Sequence, residues 1–221
     1  MDRKAVTLVV QVSGFGLIAA GILLVAATLL QPALPTAPSE SRVFALGADS
    51  TYFRLSAVIR AVSAAVEITS IFGLLIWLLG HKRTGLALTG TIMTIFGGAM
   101  FLPIFGVFMI ILPSVGNLIA SGNDAALEVI TSYYGEWTAM PAFIGGFIYF
   151  LRPIPFGIAM LKLSGVAKWV GVGFIVSGVL YIPAFLDIVV LQKTVPVLHG
   201  FCLMIVGYLM CRPVNGENTV E

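Results

Sequence analysis

Thr51 to Leu79 is an apolar run long enough to cross a bilayer, yet Arg60 and Glu67 stand well inside it. On a helix, Ser56, Arg60, Ser63, Glu67 and Ser70 recur at steps of four, three, four and three, which gathers them into one polar stripe. Val58, Ile59, Val62, Val66, Ile68 and Ile71 fall largely off that stripe. A central Arg or acid costs about 2.5–3.5 kcal/mol on insertion scales, so such residues persist where they are paired or line a cavity. The stripe is therefore expected to face protein or water, with lipid on the opposite face.

The rest of the chain obeys the same constraint. Of its 221 residues 59% are hydrophobic and 10% charged, against about 25% charged in a soluble domain. The mean hydropathy is +1.05. Apolar runs of the length a bilayer requires lie at about 6–30, 53–79, 85–112, 138–161, 169–191 and 195–211. This pattern predicts an all-α, polytopic transmembrane bundle of six helices, a single domain over residues 1–212, with a disordered cytoplasmic tail at 213–221. The first run exceeds the 7–15 apolar residues of a signal peptide and reads as a retained helix. Its Gly14 and Gly21, seven apart, form a face that another helix can approach closely.

Orientation follows from the cations. With the N-terminus in the cytoplasm, Arg3, Lys4, Lys82, Arg83, Lys162, Lys168 and Arg212 lie inside, against Arg42, Arg54 and Lys193 outside. Seven against three places both termini in the cytoplasm and the protein in the cell membrane. The lipid bilayer is thus the first partner, and no basic cluster suggests nucleic acid. Cys202 and Cys211, nine apart, match no metal-ligand spacing and read as small apolar fillers. No metal or cofactor is expected, because the chain lacks a Gly-rich phosphate loop, a CxxC and a Gly-x-Ser-x-Gly turn.

Prolines interrupt several runs. Pro103 is expected to kink the outer half of the third helix, and Pro113 to close it. The segment 113–137 carries Asp124, Glu128 and Glu136 without Lys or Arg. Asn123 or Asp124 can cap a short helix there with Leu127, Ile130 and Tyr134 on one side, beside Tyr133 and Trp137, which suits the outer interface. Arg152 sits mid-run before Pro153 and Pro155, so the fourth helix is expected to kink or unwind beside it. Lys193 and Pro196 are expected to form the turn between the last two helices, with Asp187 and His199 flanking it near the outer side.

An offset of 80 residues aligns Lys82, Gly85, Ala87, Ile95, Gly98, Pro103 and Phe105 with Lys162, Gly165, Ala167, Ile175, Gly178, Pro183 and Phe185. This suggests a duplicated helical hairpin, helices 2–3 and 4–5, in parallel orientation. Pro103 and Pro183 would free carbonyls near Ala99 and Val179. Val107 stands where the second copy has Asp187.

The candidate polar site is Arg60, Glu67 and Arg152. The first two are about 10.5 Å apart along a helix. They form either a network that fixes helix packing or a pocket that binds a ligand or relays a proton. Asp187 and His199 are the secondary candidate, a proton-transfer pair or a clamp with Lys193 as counter-ion.

With these features assembled, the chain resembles a class of uncharacterised bacterial and archaeal six-helix integral membrane proteins, a domain of unknown function. The shared features are the external loop after helix 1, a second helix opening with Tyr52, Phe53, Arg54 and Leu55, and a closing helix with Gly207 and Tyr208 before Arg212. The resemblance implies a cytoplasmic-membrane protein and carries over no activity. Three readings stay open. One is a protein that binds or passes a small molecule or proton, as a homo-oligomer since six helices are a thin scaffold. Another is a membrane-embedded enzyme on an isoprenoid or lipid, with Glu67 or Asp187 as general acid. The third is a structural accessory subunit.

Overall fold

The computed structural model describes residues 2–32, 47, 50–128, 132, 140–184 and 189–212. These form helices α1 (Arg3–Leu30), α2 (Thr51–Gly80) and α3 (Thr84–Gly106), a π-helical segment (Val107–Ile111), then α4 (Leu112–Ala120), α5 (Met140–Leu151), α6 (Pro153–Met160), α7 (Val166–Ala184) and α8 (Val189–Cys211). No strand occurs among the described residues. Six helical spans are long and apolar enough to cross a membrane: α1, α2, α3 through α4, α5 with α6, α7, and α8. Their outer faces carry exposed Leu8, Val12, Phe15, Phe96 and Trp169, as a lipid-facing surface requires.

The spans close into a ring. α1 packs against α2 and α8, α2 against α3, α3 against α5 and α6, α6 against α7, and α7 against α8. Glycines set the closest approaches. A Cβ on Gly14 would stand 2.7 Å from the Gly207 carbonyl, and one on Gly200 would stand 2.9 Å from the Gly21 carbonyl, so α1 and α8 touch antiparallel, backbone to backbone. The face anticipated at Gly14 and Gly21 meets a second pair of glycines seven apart. One apolar core, with Leu17, Leu74, Ala87, Phe156, Phe174 and Leu203, draws on all six spans.

The polar stripe of α2 turns inward. Ser56, Ser63, Glu67 and Ser70 are buried and Arg60 is half-buried, while Val58 and Val62 are exposed. The face assigned by periodicity is the observed one except at Ile71, expected off the stripe and found 1% exposed in the core.

Two boundaries differ from expectation. Pro113 does not end the third span, which stays helical to Ala120. It stands at the start of α4, where a missing N–H costs little, directly after the π segment widens the ladder. The last helix already covers Val189–Cys211, so Lys193 and Pro196 lie inside α8 instead of a turn. An interior proline is tolerated there because packing outweighs local propensity, with Val195 1% exposed beside it. The change carries His199 from the outer boundary to mid-helix. Asp187, most of the loop after helix 1 (33–46, 48 and 49) and the tail lie outside the described residues, as do Ile130, Tyr133, Tyr134 and Trp137 of the interfacial segment. Leu127 of that segment is described and packs with Phe53 and Leu112.

Arg152 keeps right-handed helical dihedrals, φ −54° and ψ −28°. The fourth span is thus interrupted there without unwinding. The two turns aligned by the 80-residue offset differ in geometry: positive φ falls on Lys82 (58°) in the first and on Gly165 (60°) in the second.

Candidate functional site

The break in the fourth span builds the site. A regular helix bonds each N–H to the carbonyl four residues back, so Pro153, lacking N–H, leaves the Tyr149 carbonyl without its partner. Arg152 supplies it: Nη1 donates to Tyr149 O. The same fold-back lays the guanidinium over the Tyr149 ring, Cζ 3.5 Å from the centroid, in a cation–π contact. The proline therefore both interrupts the helix and aims its arginine.

Held this way, Arg152 meets Glu67 of α2. Nε donates to Oε1 at 3.2 Å, and Nη2 donates to the same oxygen. The Tyr149 hydroxyl donates to Oε2 at 3.1 Å. Both carboxylate oxygens are occupied, and Glu67 and Arg152 are each 3% exposed. Glu67 lies about 24 Å from the start of α2 and about 20 Å from its end at 1.5 Å per residue, so the pair sits at mid-depth.

His199 of α8, 2% exposed, completes the cluster. Its Nε2 lies 3.3 Å from Arg152 Nη2 and 3.4 Å from Glu67 Oε1, and its Nδ1 lies 3.5 Å from Ser177 Oγ of α7. The Ser177 hydroxyl already donates to Phe174 O at 2.9 Å, which leaves its oxygen to accept from Nδ1–H. Nε2 then has two uses. Neutral, it accepts from Arg152; protonated, it donates to Glu67. One ring nitrogen cannot do both at once. Phe174 and Tyr181 flank the imidazole, ring centroids 5.5 and 6.1 Å away.

Arg60 is not part of this group. Its Nη2 donates to Thr28 Oγ1 of α1 at 3.2 Å, and its Nε is buried with no partner. Lys193 converges on the same helix end, donating to Thr28 O at 2.9 Å and to Gln31 O. No basic residue stands in the last turn of α1, so α8 supplies the cation that its terminal carbonyls favour. The structure thus joins Glu67, Arg152 and His199, sets Arg60 and Lys193 nearer the end of α1, and does not describe Asp187. Sequence reasoning missed Tyr149 and Ser177. A signal for Tyr149 was available, since the carbonyl-counting applied to Pro103 and Pro183 assigns the orphan of Pro153 to it.

This arrangement yields a first test. Pro153→Ala restores an N–H that competes with Arg152 for Tyr149 O. We expect the coupling between Arg152 and Glu67, read from a double-mutant cycle of Arg152→Gln and Glu67→Gln in that background, to fall by about 1–2 kcal/mol. Unchanged coupling would show that the guanidinium is aimed without the proline.

No group of His, Cys, Asp and Glu suited to a metal ion occurs among the described residues. Comparison of the chain with family models, curated proteins and solved structures gave no match.

Proposed function

We propose that this chain is a multi-pass protein of the cytoplasmic membrane, both termini on the cytoplasmic side, whose Glu67–Arg152–His199 cluster takes up and returns one proton inside the bundle. Orientation rests on the seven-to-three distribution of Lys and Arg. The observation that carries the proton reading is the near-equal distance of His199 Nε2 from an arginine donor and a carboxylate acceptor, 3.3 and 3.4 Å. Histidine is the side chain whose charge changes most readily near neutral pH. Here either charge state finds a hydrogen-bond partner without rebuilding the site.

A proton suits the cluster better than a larger ligand. The carboxylate, guanidinium and imidazole chiefly satisfy one another, leaving few groups to orient a small molecule. A general acid at Glu67 acting on an apolar substrate would have to place its proton where Arg152 or Tyr149 now donates. The duplicated hairpin enters this reading as its origin, with Pro103 and Pro183 each inside a helix, α3 and α7.

The chain has two histidines, and His81 is exposed at the α2–α3 turn. In a His81→Asn protein labelled with ¹⁵N-histidine in lipid, His199 should appear as the Nδ1–H tautomer and convert in one step to the doubly protonated form within about pH 5–8. A His199 signal that stays in one form across that range would overturn the proposal.

A further inference from the structure

Resting on that reading, we infer that the cluster exchanges its proton with one side of the membrane only, the side bearing the end of α1 and the start of α2, through a hydrated leg that passes Arg60 and Tyr181. Three observations meet here.

Toward the opposite end the bundle is plugged. Below Glu67, Ile71, Leu74 and Leu78 of α2 pack with Phe156 of α6 and with Leu203 and Val206 of α8, none more than 3% exposed. From Ile71 to Leu78 this layer is about 10.5 Å thick. The buried hydroxyls of Thr91 and Thr94 in α3 close onto carbonyls of their own helix, and Ser13 and Ser70 lie in the glycine seam between α1 and α2. No charged side chain is buried within that layer among the described residues.

Toward the α1–α2 end the interior is apolar where Phe53, Leu112, Val115 and Ile119 pack together, and polar along the stripe. There Ser63, Arg60 and Ser56 continue upward from Glu67, with the two serine hydroxyls donating to Ala20 O and Phe53 O. Tyr181 of α7 stands between the two groups, its ring against Phe150 and edge-on to His199, within electrostatic reach of Arg60, Arg152 and Glu67. Lys193 lies above. Around His199 the titratable groups are Glu67 from α2, Arg152 and Tyr149 from the fourth span, and Tyr181 from α7. α1 beyond Lys4 and all of α3 offer none.

The third observation is independent of the pattern. Arg60 Nε, within the stripe, is a buried donor without a partner, as is Arg83 Nε at the α2–α3 turn beyond the plug, and such groups in folded proteins are normally met by ordered water. A water there lies on the polar leg and not in the plug.

The test uses impermeant methanethiosulfonate reagents on oriented vesicles holding the full chain with Cys202→Ala and Cys211→Ala. Arg60→Cys and Ser56→Cys should label at least tenfold faster from the α1–α2 side than from the other. Leu74→Cys and Leu203→Cys should resist reagent from both. Since these variants can misfold, the wild-type chain supplies a further readout: with different pH on the two faces, the His199 signal should follow the pH of the α1–α2 side. Labelling of Leu74→Cys or Leu203→Cys from the opposite side, silence at Arg60→Cys and Ser56→Cys from both, or a His199 signal that follows the opposite face overturns the inference. Each of those results leaves proton binding standing. Loss of the His199 titration in symmetric buffer instead removes the proton reading itself.

Discussion

Arg152→Gln is expected to destabilise the protein by about 3–5 kcal/mol, the range seen when one partner of a buried ion pair is removed. Glu67 and Arg152 side chains are only 4% and 3% exposed, so water cannot replace the missing partner. The loss is doubled in kind, because the Tyr149 carbonyl, already without a backbone donor, also loses Nη1. Glu67→Gln should cost less, since the amide oxygen still accepts from Nε and Arg152 keeps its carbonyl and its ring. Combining the two should recover about 2 kcal/mol relative to the sum, measured by reversible unfolding in mixed micelles. An apolar pair, Glu67→Met with Arg152→Met, separates stability from chemistry. It should regain most of the stability, as apolar replacements of buried pairs often do, while abolishing the two-way choice at His199 Nε2. An Arg152→Gln protein within about 1 kcal/mol of wild type would mean that the pair does not close in the membrane.

The parts of this fold that were legible in the sequence are those set by periodicity. Six apolar runs give six spans because the bilayer fixes their length. The stripe of α2 was readable because steps of three and four fix a face, and Ser56, Ser63, Glu67 and Ser70 are buried as that face requires. Periodicity does not fix where a long side chain goes. Arg60 shares the face with Glu67 but reaches along the helix to Thr28 of α1, whose carboxyl-terminal end attracts cations. Spacing alone could not choose between that partner and Glu67.

The position of His199 was lost for a different reason. From Trp169 to Cys211 the chain is apolar apart from a few residues, and by local propensity alone the lysine and proline of Lys193 to Pro196 favour a turn there. The structure carries helix through both residues, because Lys193 finds its partners in the terminal carbonyls of α1 and Val195 is needed in the interior. That shift moves a histidine from the boundary to the centre, and with it the composition of the site. Both facts are tertiary: they depend on which helix α8 lies beside.

That neighbour is chosen by glycine, and Gly207→Val should show it. A Cβ at Gly207 would stand 2.9 Å from Ile18 Cγ1 and 3.0 Å from Ile18 N, and would also press on the Gly14 carbonyl. Backbone atoms cannot swing away, so α1 and α8 must separate. The expected loss is about 3 kcal/mol, the upper end for overpacking, with Gly14→Ala and Gly207→Ala strongly non-additive because they press on one contact. Gly85→Val is the control, since a Cβ there meets nothing within 4 Å, and it should stay within about 0.5 kcal/mol. The consequence extends to the site. Gly200 of the same seam follows His199 directly, so a displaced α8 carries Nε2 away from distances of 3.3 and 3.4 Å that leave little slack. Gly207→Val should therefore shift or broaden the His199 titration as well as lower stability, whereas Gly85→Val should leave both unchanged. Equal stability of the two variants would show that the seam is not closed, and the mid-membrane placement of His199 would lose its support.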